Sequence, residues 1–157
     1  MRRPWNTIDT AVYSMVTQIP DATNMNICTW VTAVSKHPRL YAIALENGSK
    51  TLELQHATQR AVLQILSRAQ IHLVRSLGRK SGHHYDKMHY LKGMDVLGRW
   101  QGFNVIRNCS AYILLEKIRF IQAGDHHLFL YKVLRSTTRE EGPVLMFQDL
   151  LKEKIIL

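Results

Sequence analysis

Cysteine is nearly absent from the 157 residues, which contain only Cys28 and Cys109. Two thiols cannot build a disulfide framework, and nothing around them has zinc-ligand spacing, so both are expected to be reduced core residues. Apolar runs long enough to cross a bilayer are also missing, and the basic start Met1-Arg2-Arg3 has no apolar segment behind it. The expectation is a cytoplasmic chain without a secretory signal or membrane contact. There are no repeats and no low-complexity tracts, and no G-x-S-x-G elbow ties a Ser, His and Asp to one site. Acidic residues are scarce: 12 Asp and Glu stand against 21 Lys and Arg, a formal charge of +9. Between Arg60 and Arg107 the only acids are Asp86 and Asp95. Such an excess suits an anionic partner. A barrel module binding single-stranded nucleic acid would share it, but the segment lacks aromatic interleaving and any recognisable motif, which makes that the lesser reading.

What is present is ordinary globular composition, 46% hydrophobic and 21% charged, in a length that fits one domain over 1–157. Asp9 to Ile19, with the apolar and β-favouring run Ala11 to Val16, stops at Pro20-Asp21 and reads as the first strand. Ile27 to Val34 reads as a largely buried strand, and Leu40 to Leu45, apolar throughout, as a strand covered on both faces. Arg60 to Leu66 is a further strand. Ser67 is placed to cap a helix that Gly78 ends, with Gln70, Leu73, Val74 and Leu77 inward and Arg68, His72, Arg75 and Arg79 on a solvated stripe. Ser110 to Ile121 and His127 to Leu134 form a long hairpin around Gly124-Asp125. Pro143 to Phe147 is expected as a last strand and Gln148 to Lys154 as a short helix. Seven or eight strands with short turns favour a closed antiparallel barrel.

The chemistry concentrates at Asn47-Gly48-Ser49-Lys50-Thr51, between an apolar strand and a helix from about Lys50 to Thr58. A tight turn, two hydroxyls, one cation and a helix N-terminus are the parts of a phosphate cradle. His83, His84 and His89 are dense, but their spacing matches no common ligand pair and no metal site is expected. With no nucleophile or metal constellation, a bound cofactor carrying the chemistry is the economical account.

Thr29-Trp30-Val31-Thr32-Ala33-Val34-Ser35, followed by Pro38, by Ser49-Lys50-Thr51, and far downstream by Gly124-Asp125-His126, resembles the flavin reductase-like family, the FMN-binding split β-barrels. The resemblance spans roughly Ala11 to Val133. It implies a mainly β fold of antiparallel Greek-key type with short helices, a homodimer, FMN as cofactor, and NADH or NADPH as hydride donor with a flavin or protein acceptor. An FMN electron carrier without nicotinamide activity is the alternative within the family.

Carried onto this chain, the resemblance sets Asn26, Ile27, Cys28, Thr29 and Trp30 beside the flavin ring, with Trp30 read as core or dimer packing rather than as a stacking platform. Asn47, Ser49, Lys50 and Thr51 would hold the phosphate, and Gln64 and Ser67 would reach the ribityl chain. Ser81-Gly82 and Asp86-Lys87 match a loop that closes over the ribityl phosphate, with Lys87 or Arg79 as countercharge. His126 would orient the nicotinamide or the phosphates of the pyridine nucleotide. Ile27, Gln64 and Tyr131 depart from the family's usual Thr, Asn and Gly.

Overall fold

The computed structural model describes residues 3–139 and 141–156. Met1 and Arg2 of the basic start, and Glu140 of the charged loop before Pro143, lie outside the described residues. In chain order come β1 (Tyr13–Ile19), β2 (Ala22–Met25), β3 (Val31–Lys36), β4 (Arg39–Glu46), α1 (Lys50–Ala57) and β5 (Arg60–Ile65). A 3-10 helix over Arg68–Leu73 runs into α2 (Val74–Gly78), followed by α3 (Lys87–Gly93), β6 (Leu97–Trp100), β7 (Phe103–Ile106), β8 (Ala111–Ala123), β9 (His126–Thr138) and α4 (Phe147–Lys152).

Seven strands form one antiparallel sheet in the order β2-β1-β5-β8-β9-β4-β3, and β6-β7 is a separate hairpin. The mainly β architecture with short helices is as expected; the closed barrel is not, because the ladder ends at β2 and β3. Both faces of the central strands are covered, as strand parity requires. Val12, Val16, Val62, Leu66 and Leu114 face a core closed by Leu73, Val74 and Leu77, by Leu91 of α3 and by Leu150 of α4. Met15, Ala61, Leu63, Ile113 and Leu115 face a second core with Ile43, Phe129, Tyr131 and Leu52 of α1.

Three expectations change. Ile27 to Val34 is not one buried strand: the chain leaves β2 at Met25, crosses an irregular segment to Trp30, and only then forms β3, where Thr32, Ala33 and Val34 are exposed. An edge strand has one neighbour, so β-branched composition there reports strand propensity and not burial. Pro143 to Phe147 makes only isolated bridges, Val144 with Ser67 and Met146 with Ala11, before α4 begins. The basic stripe is partly occupied: Arg68 pairs with the buried carboxylate of Asp149, and Arg75 donates to the Lys154 carbonyl at 3.1 Å, fastening the C-terminal segment.

The long hairpin forms as expected, with bulges between Leu114 and Leu115 and between Lys117 and Arg119. Bulges bend and twist a ladder. Beyond the second one β8 is exposed from Ile118 onward, so the hairpin's outer half leaves the core.

Candidate functional site: a groove at the sheet seam

The segment Asn26 to Trp30 spans the gap between the two ends of the sheet. Cys28 exchanges both backbone hydrogen bonds with Tyr13 at 2.9 Å, and the Asn26 side chain accepts from the Met15 N–H at 2.8 Å. On the other side the Trp30 carbonyl accepts from the Ala44 N–H at 3.0 Å. One irregular stretch therefore joins β1 to β4, and beside it opens a groove of about 530 Å³. That is within the usual size of small-molecule sites, roughly 300–1,000 Å³.

Asn26, Ile27, Cys28, Thr29 and Trp30 all line this groove, as do Asn47, Ser49, Lys50 and Thr51, Arg79, Ser81 and Lys87, and His126. Residues far apart in sequence thus meet at one place. Gln64 and Ser67 are not among the lining. The Gln64 side chain is wholly buried, accepting from the Ile106 N–H at 2.6 Å and so tying β5 to β7 on the helix-covered face. Ser67 sits beside Val144, where its N–H donates to the Gln70 side chain at 2.9 Å. Both positions follow from parity and capping, which a short apolar strand leaves unresolved when read as sequence.

At the polar end, the Ser49 hydroxyl caps α1 by accepting from the Leu52 N–H at 3.1 Å. The helix itself offers no acceptor to the N–H groups of Lys50 and Thr51, so its positive end faces the groove. The turn is docked on the hairpin: the Asn47 N–H donates to the Asp125 carbonyl at 2.9 Å, and Asn47 also pairs with His127 at 2.7 Å. Lys50 bonds Glu53 at 2.7 Å, which holds the Glu53 carboxyl below its ordinary range. Arg79, Lys80 and Lys87 add positive charge from the opposite wall.

Lys87 is buried, and its ammonium donates to the Leu77 carbonyl at 2.6 Å, near the end of α2. Burial lowers its pKa to about 8. Cys28 is a free thiol pushed up to about 12 by burial, so it is a wall and not a nucleophile. Trp30 is not packed in the core of the chain: it is 51% exposed and lies against His126, ring centroids 4.5 Å apart. His126 Nδ1 donates to Asp125 at 2.6 Å, which fixes the tautomer and holds the Asp125 carboxyl low.

Sequence reasoning missed the part played by Asn24 and the close approaches made at Gly78 and Gly82. Asn24 is buried beneath the groove and donates to the Thr51 hydroxyl at 3.0 Å. Gly78 lies where an added Cβ would come within 3.2 Å of Ile27, and Gly82 where it would come within 2.5 Å of Asn24 Oδ1. These are close approaches between distant segments, and no local pattern announces them.

Residues 5–153 match the family model described as the flavin reductase like domain. The chain belongs to the flavin reductase-like family. Among solved structures, the NADH:FAD oxidoreductase of Streptomyces globisporus, in complex with NAD and FAD fragments, is similar with a TM-score of 0.81 at 19% identity, over 93% of this chain and 85% of that one. An FMN-binding protein from Thermus thermophilus gives 0.78 at 21% identity, over 89% and 76%. The flavin reductase of a styrene monooxygenase from Pseudomonas putida gives 0.76 at 17% identity, over 91% and 88%. At these identities the likeness establishes the shared fold. Comparison with curated protein sequences gives no match. No helix among the described residues is long and apolar enough to cross a membrane.

The donor set of the groove fits a flavin phosphate: a helix N-terminus, two hydroxyls and several cations lie at one end, and a mixed backbone and apolar wall lies along the rest. Among the described residues no cluster of three His, Cys, Asp or Glu could hold a metal.

Proposed function

We propose that this flavin reductase-like chain is an FMN-dependent NAD(P)H:flavin oxidoreductase. The observation that carries the reading is the convergence of Asn26 to Trp30, the capped turn at Ser49 to Thr51, and His126 on one groove. Bound there, FMN would supply hydride acceptance at N5, the chemistry needed to reduce a flavin or protein acceptor.

The chain's own residues bind and orient. Ser49, Thr51 and the first N–H groups of α1 hold the phosphate, with Lys50, Arg79 and Lys87 as countercharge. The irregular segment leaves backbone groups of Ile27 and Thr29 for the polar edge of the ring, because only alternate groups are spent on β1 and β4. Thr29 adds a hydroxyl. Trp30 and His126 border the mouth, where their rings exclude water and offer a surface to the nicotinamide.

A homodimer is part of the proposal. Ile118, Phe120 and Ile121 on the outer hairpin and Val34 on the edge strand are exposed apolar side chains, of the kind a second copy would cover. Oxidation of NADH and NADPH by the FMN-loaded protein under air tests the activity. Turnover supports the reductase; bound flavin without nicotinamide oxidation identifies an electron carrier instead.

A further inference from the structure

At the polar end of the groove two loops meet in close contact. Gly82, from the loop after α2, approaches so closely that a Cβ there would come within 2.5 Å of Asn24 Oδ1 and 3.0 Å of Lys50 Cβ. Asn24 cannot swing aside without breaking its bond to the Thr51 hydroxyl. The next residue bolts the contact: His83 Nε2 donates to the Gly48 carbonyl at 3.1 Å, while Nδ1 lies 3.7 Å from Glu53 Oε2. The His83 backbone N–H is in turn held by the Ser81 hydroxyl at 3.2 Å. The turn that grips the phosphate and the loop facing it are thus joined across the far side of the groove.

We propose that this Gly82–His83 wall makes the site selective for a flavin that ends at its 5′-phosphate, FMN, over one that continues through a second phosphate to adenosine, FAD. The inference rests on the flavin reading above and deepens it. A terminal monophosphate stops at Ser49 to Thr51 and needs no exit. The pyrophosphate of FAD would need room to continue past that point, where Gly48 and Gly82 line the groove and His83 is bonded to Gly48 behind them. The FAD molecule must bend back through the mouth or push the loop away, and either costs affinity.

Dissociation constants for FMN, FAD and riboflavin, read by flavin fluorescence on the whole chain and on G82A and H83A, test this. The wild type is expected to prefer FMN over FAD by about tenfold or more. G82A pushes the loop off Asn24, and H83A removes one exposed hydrogen bond. FAD binding should tighten in both, by about fivefold in H83A, the worth of one such bond. Riboflavin, lacking the phosphate, should bind all three proteins equally.

Equal affinity of the wild type for FMN and FAD overturns the wall while leaving the flavin site intact. So does an unchanged FMN-to-FAD ratio in both variants. Failure of the wild type to bind any flavin overturns the proposed function itself. H83A alters only a surface side chain, so it remains informative should G82A fold poorly.

Discussion

Lys87 is where the structure makes its sharpest thermodynamic demand. A buried ammonium that donates to the Leu77 carbonyl is charged only at a cost, and its pKa falls from 10.5 to about 8. In the unfolded chain the same group keeps its ordinary value, so between pH 8 and 10.5 the unfolded state holds more protons than the folded one. Stability therefore rises with pH across that window, and the full penalty, roughly 3 kcal/mol, is present below pH 8. Between pH 7 and pH 9.5 the gain should be about 2 kcal/mol. Urea denaturation of the wild type and of K87M at both pH values measures it, since K87M removes the titrating group and should lack that gain. Parallel pH dependences in the two proteins would refute the buried-ammonium account. The same linkage acts on the ligand: a bound phosphate near Lys87 favours its charged form, so FMN affinity should fall by up to about tenfold per pH unit above pH 8 and less so in K87M.

Other sites give independent tests. K50A should weaken FMN binding about tenfold, against no change for K152A on α4, because Lys50 lines the groove and Lys152 does not; equal affinities would remove Lys50 from the phosphate site. Y131F should cost about 1–3 kcal/mol in a denaturant melt with FMN affinity unchanged, since the buried Tyr131 hydroxyl donates to Gln55 Oε1 at 2.6 Å and its loss orphans that oxygen. R68A should destabilise by about 2 kcal/mol through the uncompensated Asp149 carboxylate, without affecting flavin affinity. W30A should raise the KM for NADH while FMN affinity changes little, and an unchanged KM would detach Trp30 from the nicotinamide.

Much of this fold was legible as sequence because its signals are local. The Ser49 cap, the β5 apolar run and the Gly124-Asp125 turn each announce an element within a few residues, and each forms where expected. The same locality explains the misses. Ile27 to Val34 has the composition of a core strand, but tertiary position decided that its first half bridges a seam and its second half lies at an edge. Gln64 reads as a polar residue at a strand end; its fully buried bond to Ile106 depends on β7 arriving from forty residues downstream. Gly82 is one glycine in a polar loop until Asn24 is seen beneath it.

Titration of FMN into the purified chain, followed by flavin fluorescence and by mass identification of what denaturation releases, tests the central claim most directly. One FMN per chain is expected, weakened in K50A and retained in K152A. A chain that leaves FMN fluorescence unchanged and releases no flavin would contradict it.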